Sequence, residues 1–205
     1  VSTSDSQAHG RGPGDVSPIT PSEHTPPRSK GSPFKVCVVC AGNICRSPMA
    51  EAVLRVRLAN AGLSAHVEVS SAGTGSWHIG EQADPRARRT LQAHGYDAAA
   101  HRARQFTDSW FADFDLVLAL DSANFADLQR IAPDDQARAK IRMLRSYASH
   151  DNGRHAADLD VPDPYYGGED GFDHVLRLVE QAADGLVEAI AAHRAVGDAD
   201  HPSRS

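Results

Sequence analysis

Cysteine, methionine and aromatic residues are scarce in this 205-residue chain, with three Cys, two Met and only 6% Phe, Trp and Tyr. The cysteines crowd together at positions 37, 40 and 45. An odd, clustered set is no disulfide framework, so a reducing, cytoplasmic setting is expected. No apolar run approaches the roughly 20 residues that a membrane span needs, and no membrane partner is expected. A basic start followed by an apolar run is also missing, so no secretory signal is expected. The first residue is Val1 rather than Met, as after processing or from a non-standard start codon. Lys and Arg number 21 against 27 Asp and Glu, a formal charge of −6. That lacks the basic footprint of a nucleic-acid binder. The histidines, among them His150, His155 and His174, show no metal-ligand spacing. The length suits one α/β domain and is too short for two large ones.

Residues 1 to about 33 are rich in Ser, Pro, Gly and Thr and nearly devoid of large apolar side chains. Such a segment buries too little surface to offset its ordering entropy and is expected to be a disordered extension. A domain is expected over 34–193, with a flexible tail over 194–205. Apolar runs at about 34–39, 67–72, 115–120 and 140–144 read as strands. Between them, helical patterns run at about 47–60, from Asp84-Pro85 to His94-Gly95, at about 122–131 and at about 171–193. Alternating strands and helices imply a parallel sheet covered by helices on both faces.

What is present in strength is the loop Cys40-Ala41-Gly42-Asn43-Ile44-Cys45-Arg46-Ser47, set between the first strand and the first helix. Backbone N–H groups and the positive end of a helix dipole converge at such a turn and suit an anion with several oxygens. Cys40 beside that anion is a candidate nucleophile, because the same field favours the thiolate. The planar fork of Arg46 matches two phosphate oxygens. Gly42 allows close approach of the backbone. Asn43 tolerates a left-handed backbone. Ser47 is expected to N-cap the helix ahead of Pro48, or to hydrogen-bond the Cys40 sulfur. Thiolate attack on a phosphate ester needs an acid for the leaving oxygen. Asp163, held between Pro162 and Pro164 and followed by Tyr165 and Tyr166, is the best candidate. Asp158 and Asp160 are weaker ones, and an Asx turn is the other role open to Asp163. Trp77 is either a cleft wall or a loop residue packed on the domain. Asp121 ends a strand at the ligand-binding edge of an α/β sheet, and it also suits the N-cap of the next helix.

The run Val39-Cys40-Ala41-Gly42-Asn43-Ile44-Cys45-Arg46-Ser47-Pro48-Met49-Ala50-Glu51, joined to Asp163-Pro164-Tyr165-Tyr166-Gly167, resembles the low-molecular-weight protein tyrosine phosphatases. Ser71-Ala72-Gly73 with Trp77, and His101-Arg102-Ala103-Arg104-Gln105, extend the resemblance over about 34–193. It implies a four-stranded parallel sheet with the phosphate-binding loop after strand 1, and neither metal nor organic cofactor. It also implies hydrolysis of phosphotyrosine in proteins through a phosphocysteine. On this resemblance Cys40 is the nucleophile, Arg46 the phosphate ligand and Asp163 the general acid and base. Ala41, Gly42, Asn43, Ile44, Cys45 and Ser47 would surround the phosphate. Trp77, Tyr165 and Tyr166 would line the cleft. Ser71 and His101 would support the loop through Asn43. Cys45 would form a protective disulfide with Cys40 on oxidation. Phosphotyrosine proteins are the implied partners, with a cognate tyrosine kinase acting on Tyr165 or Tyr166 as a further candidate.

Rival activities on the same fold are arsenate reduction and phosphoarginine hydrolysis. No Cys follows Cys45 to relay a disulfide, and Ile44 with the paired tyrosines favours phosphotyrosine. A module that binds phosphotyrosine without cleaving it would be expected to lose Cys40 or Asp163. An ATP-binding loop would need Gly-Lys-Ser/Thr after its first glycine.

Overall fold

In the computed structural model, residues 32–148, 159–168 and 170–199 are described. The expected extension before residue 32, the candidate acid Asp158, and His150 and His155 lie outside them. The element order is β1 (Phe34–Cys40), α1 (Arg46–Asn60), β2 (Val67–Gly73), α2 (Pro85–Ala93), β3 (Leu116–Ala119), α3 (Ser122–Ile131), α4 (Asp135–Ala139), β4 (Ile141–Met143) and α5 (Asp170–Ala199). Short 3-10 turns cover Asp108–Ala112 and Leu144–Tyr147. Among the described residues no helix is long and apolar enough to cross a membrane.

The four strands form one parallel sheet in the order β2-β1-β3-β4. β1 is central, and its side chains go alternately to two cores, as a strand period of two requires. Val36, Val38 and Cys40 face the larger core, with Met49, Val53, Leu91, Phe172, Leu176 and Leu186 from α1, α2 and α5. Cys37 and Val39 face the other, with Phe106, Phe111 and Leu128. Because β1 pairs with β2 on one side and β3 on the other, the loops leaving β1 and β3 diverge. The crevice between them is where ligands bind in open α/β sheets.

Several boundaries differ from expectation, each for a local reason. α1 starts at Arg46 with Cys45 at its N-cap, so Ser47 lies inside the helix and makes no cap bond. Its hydroxyl is drawn to the Cys40 sulfur and the Asn43 amide instead. β4 is cut to Ile141–Met143 because Lys140 already closes α4. That five-residue helix was not expected, since it has no apolar stripe. The Asp134 side chain nucleates it by accepting from the Ala137 N–H at 2.7 Å. α5 runs to Ala199 rather than ending at His193, so part of the expected flexible tail is helical. In the polar stretch after β4, Val161 is fully buried and its N–H bonds to Leu120 O at 2.7 Å, tying the segment to the end of β3.

Two glycines permit close approach. A Cβ on Gly73 would lie 2.6 Å from Ala41 O, and at that point the loop after β2 bonds to the loop after β1 through Thr74 N–H to Cys40 O (2.8 Å) and Gly75 N–H to Ala41 O (2.9 Å). A Cβ on Gly185 would overlap the carbonyl of Tyr147, so α5 meets the turn after β4 with no room for a side chain. Gly185→Ala is expected to lower stability by about 1–3 kcal/mol, the usual range for overpacking. Urea denaturation checks this, through a lower midpoint at an unchanged slope.

Candidate active site

Cys40 is the last residue of β1 and is only 3% exposed. Its Sγ accepts from the Asn43 N–H at 3.2 Å and lies 3.0 Å from Ser47 Oγ. The loop that follows reverses direction through Asn43, whose φ of 56° falls in the left-handed region that costs an L residue energy unless it is held. The hold is complete. Asn43 Nδ2 donates to Ser47 Oγ and to Ser71 Oγ, both at 2.9 Å, and Oδ1 accepts from the Arg104 N–H at 2.8 Å. Its carbonyl accepts from His101 Nε2 at 2.7 Å. Because a carbonyl cannot donate, His101 carries a proton on Nε2. Ser71 in turn donates to Glu51, whose carboxylate stands 4.0 Å from His101 Nδ1.

The first residue of α1, Arg46, has its side chain buried to 3% exposure. Nη1 donates to Val161 O at 3.0 Å and pairs with Asp121, and Nη2 donates to Asp163 Oδ2 at 3.0 Å. Burial by itself would lower the guanidinium pKa, but Cys40, Asp121 and Asp163 outweigh it and hold the pKa above its ordinary value. Asp163 sits in an Asx turn, its Oδ1 accepting from the Tyr165 N–H at 3.1 Å, while the carboxylate remains 44% exposed at the mouth of the site. The Asx-turn and cleft placements thus coexist in one side chain.

A cleft of about 330 Å³ is lined by Cys40, Ala41, Gly42, Ile44, Cys45, Arg46, Trp77, His78, Asp163, Tyr165 and Tyr166. Trp77 packs its ring over Gly75 and lines the cleft, yet is 72% exposed, so it serves as both loop anchor and wall. Asn43 and Ser47, expected around the phosphate, do not line the cleft. The positive φ of Asn43 turns its side chain inward, and both residues brace the loop from behind. Ser71 and His101 stand behind it as well. Asp160, the weaker acid candidate, is engaged elsewhere: its carboxylate accepts from the N–H and hydroxyl of Ser122.

Asp121 fills both places open to it: it caps α3 through the Asn124 N–H with one oxygen and holds Arg46 with the other. Other residues near the site were missed by sequence reasoning. Glu51 and Arg104 complete the bracing of Asn43, and His78 stands over Gly42 at the cleft edge. Glu51 and Arg104 lie in the stretches that carry the resemblance but had no role read for them, and nothing in the local sequence marks His78.

Cys37 and Cys45 occupy different electrostatic settings. Cys37 is fully buried on the opposite face of β1, and burial pushes its thiol far up. Cys45 is pushed up to about 12, first by burial, then by the carboxylates of Asp84 and Asp163 and by Cys40, so it is a neutral thiol at neutral pH.

The family model described as low molecular weight phosphotyrosine protein phosphatase matches residues 35–196. The chain is 55% identical over 157 residues to the low molecular weight protein-tyrosine-phosphatase of Streptomyces coelicolor, covering 77% of this chain and 93% of that one. It is 46% identical over 154 residues to low molecular weight protein-tyrosine phosphatase A of Mycobacterium tuberculosis, covering 75% and 90%. Among solved structures, the protein tyrosine phosphatase of Entamoeba histolytica with Hepes in its active site superposes with a TM-score of 0.72 at 36% identity. That match covers 78% of this chain and 99% of the other.

Burial, partly offset by Asn43 O and Glu51, lowers the His101 pKa from 6.5, so the folded protein holds this imidazole neutral. The unfolded chain therefore binds a proton at a higher pH than the folded one. Stability from this group is fully present above about pH 6.5 and is lost as pH falls from there through the folded pKa. His101→Gln, which keeps a donor, is expected to flatten that acid-side slope. Denaturation midpoints measured from pH 7.5 to 5 check it.

Proposed function

The chain belongs to the low molecular weight phosphotyrosine protein phosphatase family and is a protein-tyrosine-phosphatase; we propose that Cys40, Arg46 and Asp163 carry its reaction. One observation supports this reading above the others. Residues far apart in sequence meet in a single cleft, with the Cys40 sulfur in its wall and Arg46 bonded to Asp163 at 3.0 Å.

The Cys40 thiolate attacks phosphorus in line with the tyrosyl oxygen. An S–P bond forms as the P–O bond breaks, and protonated Asp163 gives its proton to the leaving phenolate. Backbone N–H groups of the loop and the Arg46 fork hold the three remaining oxygens, where charge collects in the transition state. Asp163, now a carboxylate, takes a proton from water. The resulting hydroxyl adds to phosphorus, the S–P bond breaks, and phosphate leaves. Asp121 and Val161 O fix the inner edge of the Arg46 fork, so its outer edge faces the cleft. Trp77, Tyr165 and Tyr166 flank the ring of the substrate, and their exposure at the rim suits a phosphotyrosine that protrudes from a protein surface. We read Cys45, a neutral thiol lining the same cleft, as the partner that condenses with the sulfenic acid formed when peroxide oxidises Cys40, giving a disulfide and water. Tyr166, 93% exposed, is open to a partner tyrosine kinase. We assign the enzyme to a reducing, cytoplasmic setting, in which the nucleophile stays a thiol.

Cys40→Ser is expected to reduce turnover of aryl phosphates by roughly a thousandfold or more while the fold survives; steady-state kinetics with circular dichroism test it, and near-normal turnover sinks the nucleophile assignment. Asp163→Asn is expected to slow phenyl esters by about 100-fold or more, and esters of strongly acidic phenols only a few-fold. Equal slowing across leaving groups would make Asp163 a structural residue.

A further inference from the structure

The segment that carries Asp163 is held differently on its two sides. Upstream, buried Val161 is bonded through its N–H to Leu120 O and through its carbonyl to Arg46. Downstream, Tyr165, Tyr166 and Gly167 form an exposed turn closed by the Gly167 N–H to Pro164 O bond at 3.0 Å. Arg86, near the start of α2, lies against that turn. Its Nη1 donates to Gly167 O at 3.4 Å, and its guanidinium carbon is 5.7 Å from the Tyr165 ring centroid and 4.8 Å from that of Phe172. Nε and Nη2 grip both carboxylate oxygens of Asp84, at 3.1 and 2.9 Å. Asp84 is itself part of the anion loop's support, since its N–H donates to Ile44 O at 2.7 Å. Contacts therefore run without a break from the phosphate-binding loop, through Asp84 and Arg86, to the turn that follows the acid.

This second tie matters because the first one is contested during turnover. Arg46 bonds Asp163 with Nη2, and that same nitrogen is needed by the oxygens of the phosphoryl group. Arg86 does not line the cleft, so its hold on the turn involves no atom that the phosphoryl group claims. Asp84 is buried and Arg86 partly so, and their ion pair fixes the orientation of the guanidinium. The planar fork of Arg86 meets a carboxylate, a carbonyl and two rings at once, which a lysine cannot reproduce. Resting on Asp163 as the general acid, we propose that Arg86 is a positioning residue that keeps the Asp163 turn in register with the anion loop and thereby sets how well the leaving oxygen is protonated.

The test compares kcat/KM for aryl phosphates of graded phenol pKa in the wild type, Arg86→Met, Arg86→Lys, Asp163→Asn and the double variant Arg86→Met with Asp163→Asn. Arg86→Met is expected to lose about 10-fold or more with esters of weakly acidic phenols and little with nitrophenyl-type esters, because a small misplacement of an acid costs steeply. Arg86→Lys is expected to show the same steepening in milder form, and the double variant no steepening beyond Asp163→Asn alone. Melting temperatures report the fold; if Arg86→Met fails to fold, Arg86→Lys carries the comparison. An unchanged leaving-group slope in the Arg86 variants, or a uniform fall across leaving groups, overturns the inference while Asp163→Asn still steepens. A flat response in Asp163→Asn overturns the acid assignment itself, and this inference with it.

Discussion

Asn43 is fully buried with a left-handed backbone, and both its side-chain amide and its carbonyl are satisfied by hydrogen bonds. Those bonds come from α1, β2 and the connector that holds His101 and Arg104, so three separate parts of the chain converge on one residue. A loop that turns its N–H groups inward leaves them without helix or strand partners, and such a conformation is retained only when its surroundings over-determine it. The Asn43 N–H is thereby aimed at the Cys40 sulfur. The bracing lies on the side of the loop away from the cleft, so substrate can enter and leave without disturbing it.

Arg46 is the counterpart of Asn43 on the open side. It is buried at the start of α1, and two carboxylates and one carbonyl share its donors. An unpaired guanidinium at that depth would carry a large desolvation cost. Its partners come from the end of β3 and from the segment after β4, so the buried charge draws the Asp163 segment to the crevice. Asp121 ties this ion cluster to the fold, with one oxygen on the helix cap and one on the arginine.

The cysteines illustrate how position within a few residues separates fates. Cys37 and Cys40 are three apart on one strand and point to opposite faces of the sheet. Cys45 returns to the cleft because the loop folds back before α1 begins. Strand alternation alone distinguishes the first two. Only the closed loop makes the third a neighbour of the site.

The order of the major elements, the parallel sheet, and the candidate nucleophile, phosphate ligand and acid were legible in the amino-acid sequence. Alternating apolar runs, a Cys-to-Arg loop between strand and helix, and an Asp between prolines are local patterns, legible over a few residues. It also indicated the left-handed Asn43, since few other residue types tolerate that backbone. Only the folded chain shows that Ser47 bonds the sulfur rather than caps a helix, that Asn43 does not line the cleft, and that Glu51, Arg104 and Asp121 join the hydrogen bonds around the loop. The reason is that a buried polar atom's partner is set by which donors and acceptors the folded chain brings within about 3 Å. Ser47 is 7 residues from Cys40 and 4 from Asn43, but Glu51, Arg104 and Asp121 lie 20, 61 and 75 residues from their partners, a separation that no local pattern bridges.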